Sequence, residues 1–318
     1  MLARSGLAPA DGRARALTLS AVVPATNRPP TLAACVEAIR RADEAPEEIV
    51  VVEHPEQAGP SRARNDGADR ATGDVLVFVD ADVVVHRDAF RRIREAFAAD
   101  DELTGVFGSY DDSPPAPDPV SGFRNLLHHH VHQSAAGPAR TFWAGLGAVR
   151  RGAFLAAGGF DHDAFPGAAI EDVELGFRLT DLGARIRLDP ALQGTHLKRW
   201  RLGEMIHTDV FRRGVPWIAL LARRRAIPAE LNLAWRHRLS TALVLAGLAA
   251  AIGRRPCTAA GAWGAFVLVN RSFYALLARR RGTAQAVAGV GLHAAHQLAA
   301  AAAVPLGVLA HLRAARRR

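Results

Sequence analysis

Between residues 17 and 98, three short apolar runs alternate with segments of helical period, and few folds accommodate that pattern. Residues 19–23, 48–52 and 75–79 read as buried strands. The third is apolar at every position, as a central parallel strand is. Helices follow each run. Leu32, Val36 and Ile39 share one face behind a capping Thr31, residues 61–70 form a second helix, and Phe90, Ile93 and Phe97 line a third. The alternation predicts an α/β, doubly wound sheet covered on both sides. Ligands of such sheets gather beyond the carboxyl ends of the strands.

Farther along, Pro114, Pro115, Pro117 and Pro119 break the pattern. Residues 111–140 read as a connection into an acceptor-side half, with His128, His129, His130 and His132 facing an acceptor or an interface rather than zinc. A Gly158-Gly159-Phe160-Asp161 turn, a helix over 171–182 and a strand over 184–188 follow. The first 16 residues lack a sustained apolar core and read as a disordered tail, not a signal peptide.

Charge divides the chain of 318 residues. Residues 222–318 carry 15 Arg against one acid, Glu230, whereas residues 1–221 carry 25 basic and 30 acidic residues. The basic third is Ala-rich and apolar over 239–253, 257–278 and 283–312, with arginines at the junctions. That combination points to a membrane and not to nucleic acid, whose binders interleave aromatics with the positive charge. Only the last two stretches reach the roughly 20 residues a crossing needs. Residues 217–225, apolar and then triply basic, resemble an interfacial anchor. Cys35 and Cys257 fit neither a disulfide scaffold nor a metal motif, and a reducing compartment follows. The single lysine, Lys198, precedes Arg199, which excludes a Walker phosphate loop.

Chemistry concentrates in three places. Asp80-Ala81-Asp82 directly follows the third strand, where two carboxylates can converge on Mg²⁺ or Mn²⁺. Glu171-Asp172 opens a helix, and Thr195-His196 lies near the end of the α/β pattern. Gly289-Val290-Gly291 matches a dinucleotide fingerprint in letters only, since no strand precedes it, and reads as helix packing.

In this order, and with Gly59-Pro60-Ser61-Arg62-Ala63-Arg64-Asn65, Trp143-Ala144-Gly145 and Gly158-Gly159-Phe160-Asp161, these clusters make residues 19–217 resemble the family 2 glycosyltransferases. The resemblance implies a GT-A fold with a mixed sheet, a nucleotide-diphosphate sugar donor and a divalent cation. Pro24, Ala25 and Thr26 would line the nucleotide pocket, and Glu53 stands where the family usually has an Asp for the base or ribose. Arg64 would approach the base or diphosphate. Asp80 would face ribose or metal, Asp82 would be the main metal ligand, and His196 would help hold metal or diphosphate. Trp143 and Gly145 would border the donor sugar or acceptor. Asp172 matches the general base, with Glu171 orienting it.

These assignments give a GT-A domain over 17–221 and a membrane-associated helical region over 222–318. The implied function is inverting, metal-dependent transfer of a sugar to a hydroxyl of a lipid-linked or cell-envelope glycan, at the cytoplasmic face of the cell membrane. Two alternatives are a membrane-anchored nucleotide-sugar-binding protein without turnover and a nucleotidyltransferase on a related fold.

Overall fold

The structure, a computed structural model, describes residues 17–225 and 234–316. The expected N-terminal tail lies outside the described residues. Strands β1 (Leu19–Pro24), β2 (Glu48–Val52) and β3 (Val75–Val79) alternate with helices α1 (Leu32–Arg40) and α2 (Pro60–Arg70). β4 (Val83–Val85), α3 (Ala89–Ala98), β5 (Leu103–Tyr110) and α4 (Pro119–Gln133) follow. Next come β6 (Gly137–Ala139), β7 (Leu146–Arg150), α5 (Arg151–Ala156), α6 (Glu171–Asp181) and β8 (Arg185–His196).

The strand order is β2-β1-β3-β7-β5-β8-β4, with β6 paired to β8. β1 pairs in parallel with β2 and β3, and β5 does so with β8. β7 runs antiparallel to both β3 and β5, so the sheet is mixed. Alternation along β3 explains why it is apolar throughout. Val75, Val77 and Val79 enter one core with Cys35, Ile39, Phe90 and Ile93, while Leu76 and Phe78 enter the other with Phe154, Phe160 and Leu175. Fully burying one such side chain is worth about 1.5–3 kcal/mol.

Three expectations change in detail. The Thr31 side chain makes no capping hydrogen bond to α1. Residues 119–133 are helical, with the Asp118 carboxylate accepting from Ser121 N at 2.9 Å to cap α4 and Pro119 opening its first turn. The strand expected over 184–188 continues to His196, because its later residues pair with β4 in antiparallel register, His196 opposite Val83.

Beyond the sheet lie α7 (Leu202–His207), a π-helical segment (Thr208–Gly214), α8 (Val215–Arg224), α9 (Trp235–Ile252), α10 (Pro256–Val269), α11 (Arg271–Arg281) and α12 (Thr283–Ala315). Among the described residues one helix, α12, is long and apolar enough to cross a membrane. The apolar run over 257–278, expected to be long enough for a second crossing, is divided at Asn270. Its side-chain amide donates to Phe266 O and to Ser240 Oγ, both at 2.9 Å, and the chain turns into α11. Phe123, Leu126 and Val131 of α4 pack with Phe266, Phe273 and Leu277, so α4 joins the sheet to the apolar helices. Gly289 fits against Leu277, as helix packing requires.

Candidate active site

The β3–β4 turn sets the first two carboxylates. Asp80 N donates to Gly145 O at 3.1 Å, Val83 N closes the turn onto Asp80 O at 2.9 Å, and Leu197 N donates to Asp82 O at 2.8 Å. The turn is therefore clamped by the segment before β7 on one side and by the residue after β8 on the other.

Arg64, on α2, is buried and spans two acids. One guanidinium nitrogen donates to Asp80 Oδ1 at 2.7 Å and the other to Glu171 Oε1 at 2.9 Å. Glu171 is also buried, and its second oxygen accepts from Ala169 N at 2.8 Å. Both Glu171 oxygens are thus committed, and its role here is to fix Arg64. The neighbouring Asn65 explains the rest of that motif. Its side chain accepts from Phe160 N and donates to Phe160 O, locking the Gly158-Gly159 turn onto α2. Gly159 has φ +68°, and a Cβ there would meet Asn65 Oδ1 at 2.7 Å, so both conformation and space demand glycine.

Asp172 follows Glu171 in the first turn of α6 but makes no ion pair among the described residues. Its carboxylate accepts from Val173 N at 2.8 Å and from Ala144 N at 3.2 Å. Burial, and then the nearby Glu171 charge, raise its pKa to about 6. Gly176, one turn on, allows this approach, since a Cβ would meet Phe142 N at 2.3 Å. In Asp80, burial and the Asp82 charge outweigh Arg64 and push the carboxyl up. In Asp82, burial is overcome by the His196 hydrogen bond and charge together with Lys198, and the carboxyl falls below its usual range.

His196 is buried, stacks on Tyr110 with ring centroids 4.1 Å apart, and places Nε2 3.4 Å from Asp82 Oδ2. Its Nδ1 lies 2.5 Å from Asn125 Oδ1, an acceptor that suits a proton on Nδ1. Protonated, the ring donates Nε2–H to Asp82, the arrangement that lowers that carboxyl; with a cation in place of that proton, Nε2 would turn a lone pair toward the shared ion. Two ligands facing each other at this spacing fit a shared cation; the carboxylate suits Mn²⁺ or Mg²⁺, and the softer imidazole favours Mn²⁺ of the two. Among the described residues no group of three or more His, Cys, Asp or Glu side chains is placed to hold an ion alone. A cation at Asp82 and His196 would need ligands from a bound phosphate.

The remaining expected residues fall around this cleft. Pro24 ends β1 and Ala25 and Thr26 follow it, with Ala25 N on Val52 O at 2.8 Å and Gln57 N on Thr26 O at 3.0 Å, so the loops after β1 and β2 form one rim. Glu53 is exposed there. Gly145 contacts the face of Trp143, whose indole packs on Tyr110, His128 and His132 at 4.9, 4.7 and 5.5 Å. Burial holds His128 well below its usual pKa and His132 at about 4, so this pair is neutral. Tyr110 and Asn125, which hold His196, were not legible as site residues. One ends a strand without a motif, and the other lies in a stretch the prolines made look irregular.

Comparison with known proteins fits this geometry. Residues 45–155 match the sequence model described as "Glycosyl transferase family 2", a range that includes Arg64, Asp80, Asp82, Trp143 and Gly145. That segment is similar to a family 2 glycosyltransferase domain. The chain is 30% identical over 170 residues to the pre-mycofactocin glycosyltransferase of Mycobacterium tuberculosis, in strains CDC 1551 / Oshkosh and ATCC 25618 / H37Rv alike. That alignment covers 52% of this chain and 35% of the relative, so the chain spans about a third of the length of the curated relatives it matches. Among solved structures, the mannosyltransferase PcManGT of Pyrobaculum calidifontis, in complex with GDP-Man and Mn²⁺, superposes with a TM-score of 0.56 at 20% identity. The match covers 91% of this chain and 87% of that one. The shared architecture is the GT-A fold.

Proposed function

We propose that residues 17–221 transfer a sugar from a nucleotide diphosphate to an acceptor hydroxyl with inversion, while 222–318 associate with a membrane and bring a lipid-linked or envelope-glycan acceptor to the cleft. The observation that carries this reading is the asymmetry among the cleft carboxylates. Asp82 is ionised beside an imidazole, Asp80 and Glu171 are tied to Arg64, and Asp172 keeps a raised pKa with two amide partners among the described residues.

Asp82 and His196 would hold a divalent cation, with Asp80 beside them. When bound, that cation supplies charge stabilisation to the departing diphosphate. The loops after β1 and β2, with Pro24, Ala25, Thr26 and Glu53, would receive the nucleotide. Arg64 keeps Asp80 and Glu171 in place and adds positive charge to the cleft. Trp143 and Gly145 border the sugar and acceptor. An acceptor hydroxyl is a weak nucleophile, and Asp172 takes its proton as the oxygen attacks the anomeric carbon from the face opposite the leaving diphosphate. General-base help of this kind contributes about 10²–10⁴-fold. A membrane location is supported by α12, and the catalytic domain would lie on its cytoplasmic side.

The test is a panel of nucleotide sugars with and without Mn²⁺, scored for binding and for product. Metal-dependent release of nucleoside diphosphate with a glycosylated product is the expected result. Binding without turnover under every condition would replace this reading with a sugar-nucleotide-binding protein.

A further inference from the structure

Behind His196 lies a cavity of about 790 Å³, within the 300–1,000 Å³ usual for small-ligand sites. Tyr110 and His196 form its inner wall, so it abuts the cleft through the ring that faces Asp82. The opposite wall is apolar. Ile218 and Leu221 of α8 face Ala301, Val304 and Val308 of α12. On the same stretch of α12, Leu306 and Leu309 are exposed, so the cavity lies against a helix whose outer surface is hydrocarbon.

Charge inside the cavity is unbalanced. Asp209, buried in the wall, is matched by Arg124 at 2.7 Å and by His296 Nδ1 at 2.7 Å. Arg213, in the same wall, makes no ion pair or hydrogen bond among the described residues, and Arg225 also lines the cavity. Arg213 is also near enough to Asp172 for its charge to act on that carboxylate. Unpartnered polar atoms accompany it on wall residues. Arg124 Nη2, Trp200 Nε1 and Trp217 Nε1, all donors, are buried without an acceptor.

We infer that this cavity is the acceptor site, and that the acceptor is a lipid bearing a phosphate close to its acceptor hydroxyl. The phosphate sits on Arg213 and the hydrocarbon chain lies between α8 and α12. The inference rests on the glycosyl-transfer reading and gives its acceptor a chemistry. A guanidinium without a carboxylate partner suits a phosphate, which it can grip through two parallel hydrogen bonds. The apolar lane suits a chain drawn from a bilayer. A wholly soluble glycan would leave that lane without a partner.

The 318-residue protein in dodecyl maltoside micelles is titrated with farnesyl phosphate, farnesol and inorganic phosphate, followed by the fluorescence of the wall residues Trp200 and Trp217. Farnesyl phosphate is expected to saturate the signal at least tenfold more tightly than farnesol, and inorganic phosphate to give no saturation in that range. Arg213→Ala, and independently Arg213→Gln, should abolish the advantage of the phosphate and leave farnesol unchanged. Ala301→Phe, which narrows the lane, should weaken both prenyl ligands. Equal binding of farnesol and farnesyl phosphate, saturation by inorganic phosphate alone, or an advantage that survives both Arg213 variants would overturn the inference. A parallel titration of the unmodified protein with nucleotide sugar and Mn²⁺ keeps the two readings apart. Failure there defeats glycosyl transfer, whereas failure of the lipid comparison with nucleotide still bound defeats only the acceptor assignment.

Discussion

Asp172, half-buried in the catalytic cleft, and Asp209, buried under the apolar helices, are carboxylates whose surroundings drive them in opposite directions. Asp209 sits between Arg124 and His296, which overcome burial and hold it below the usual carboxylate range. Asp172 has two amide N–H partners, an acidic neighbour and a pKa raised to about 6. A carboxylate that joins elements together is fully paired, and removing one partner is costly. A carboxylate that accepts a proton must be left partly unpaired, because an ion pair would lower its basicity. The contrast separates a structural site from a chemical one without reference to sequence motifs.

The largest effect expected on the chemical side comes from Asp172→Asn. Transfer should fall by about 10²–10⁴-fold while nucleotide-sugar affinity stays within a factor of about two, measured by product formation and by calorimetry. Equal loss of both would make Asp172 a structural residue like Asp209. On the structural side, Asp209→Ala leaves Arg124 buried without its partner and should cost about 3–5 kcal/mol, measured by denaturant titration in micelles. Because the folded-state pKa of Asp209 is lowered, its stabilisation is present above the unfolded value near 3.8 and is lost as pH falls through the folded value. The variant should therefore show a weaker loss of stability on acidification than the parent.

Gly176→Ala tests the geometry between these extremes. The added methyl displaces α6 from the Thr141–Phe142 backbone and with it the Asp172 contact to Ala144. A displacement of that order costs on the order of 10²-fold in kcat, with little change in donor binding. Smallest is the pH effect. For a base with a pKa near 6, kcat/KM for acceptor should fall tenfold per unit below about pH 6 and level off above it. A profile flat down to pH 4.5 would remove Asp172 from the chemistry.

The parallel half of the sheet was legible because β3 is buried at every position and reads as an unbroken apolar run, while β1 and the half-buried edge strand β2 each carry three or more apolar residues in a row. β4, β5 and β7 were not, since three residues carry no period and Leu103–Tyr110 and Leu146–Arg150 mix glycine with polar residues. The acids of the cleft were legible as motifs. Their division of labour was not, because it depends on which oxygen Arg64 occupies and which amide meets Asp172. Asn270 shows the same limit among the apolar helices. Hydropathy sees 22 apolar-rich residues over 257–278, while one amide that bonds back to Phe266 O divides them into two helices.

The central claim is that Asp82 and His196 hold a cation shared with a bound diphosphate, leaving Asp172 free to activate an alcohol. Its most direct test is an electron paramagnetic resonance titration of Mn²⁺ with and without a nucleoside diphosphate, on the parent and on Asp82→Ala. The account predicts that the diphosphate strengthens Mn²⁺ binding in the parent and that Asp82→Ala loses at least tenfold of that affinity. Identical Mn²⁺ titrations for the two proteins would contradict it.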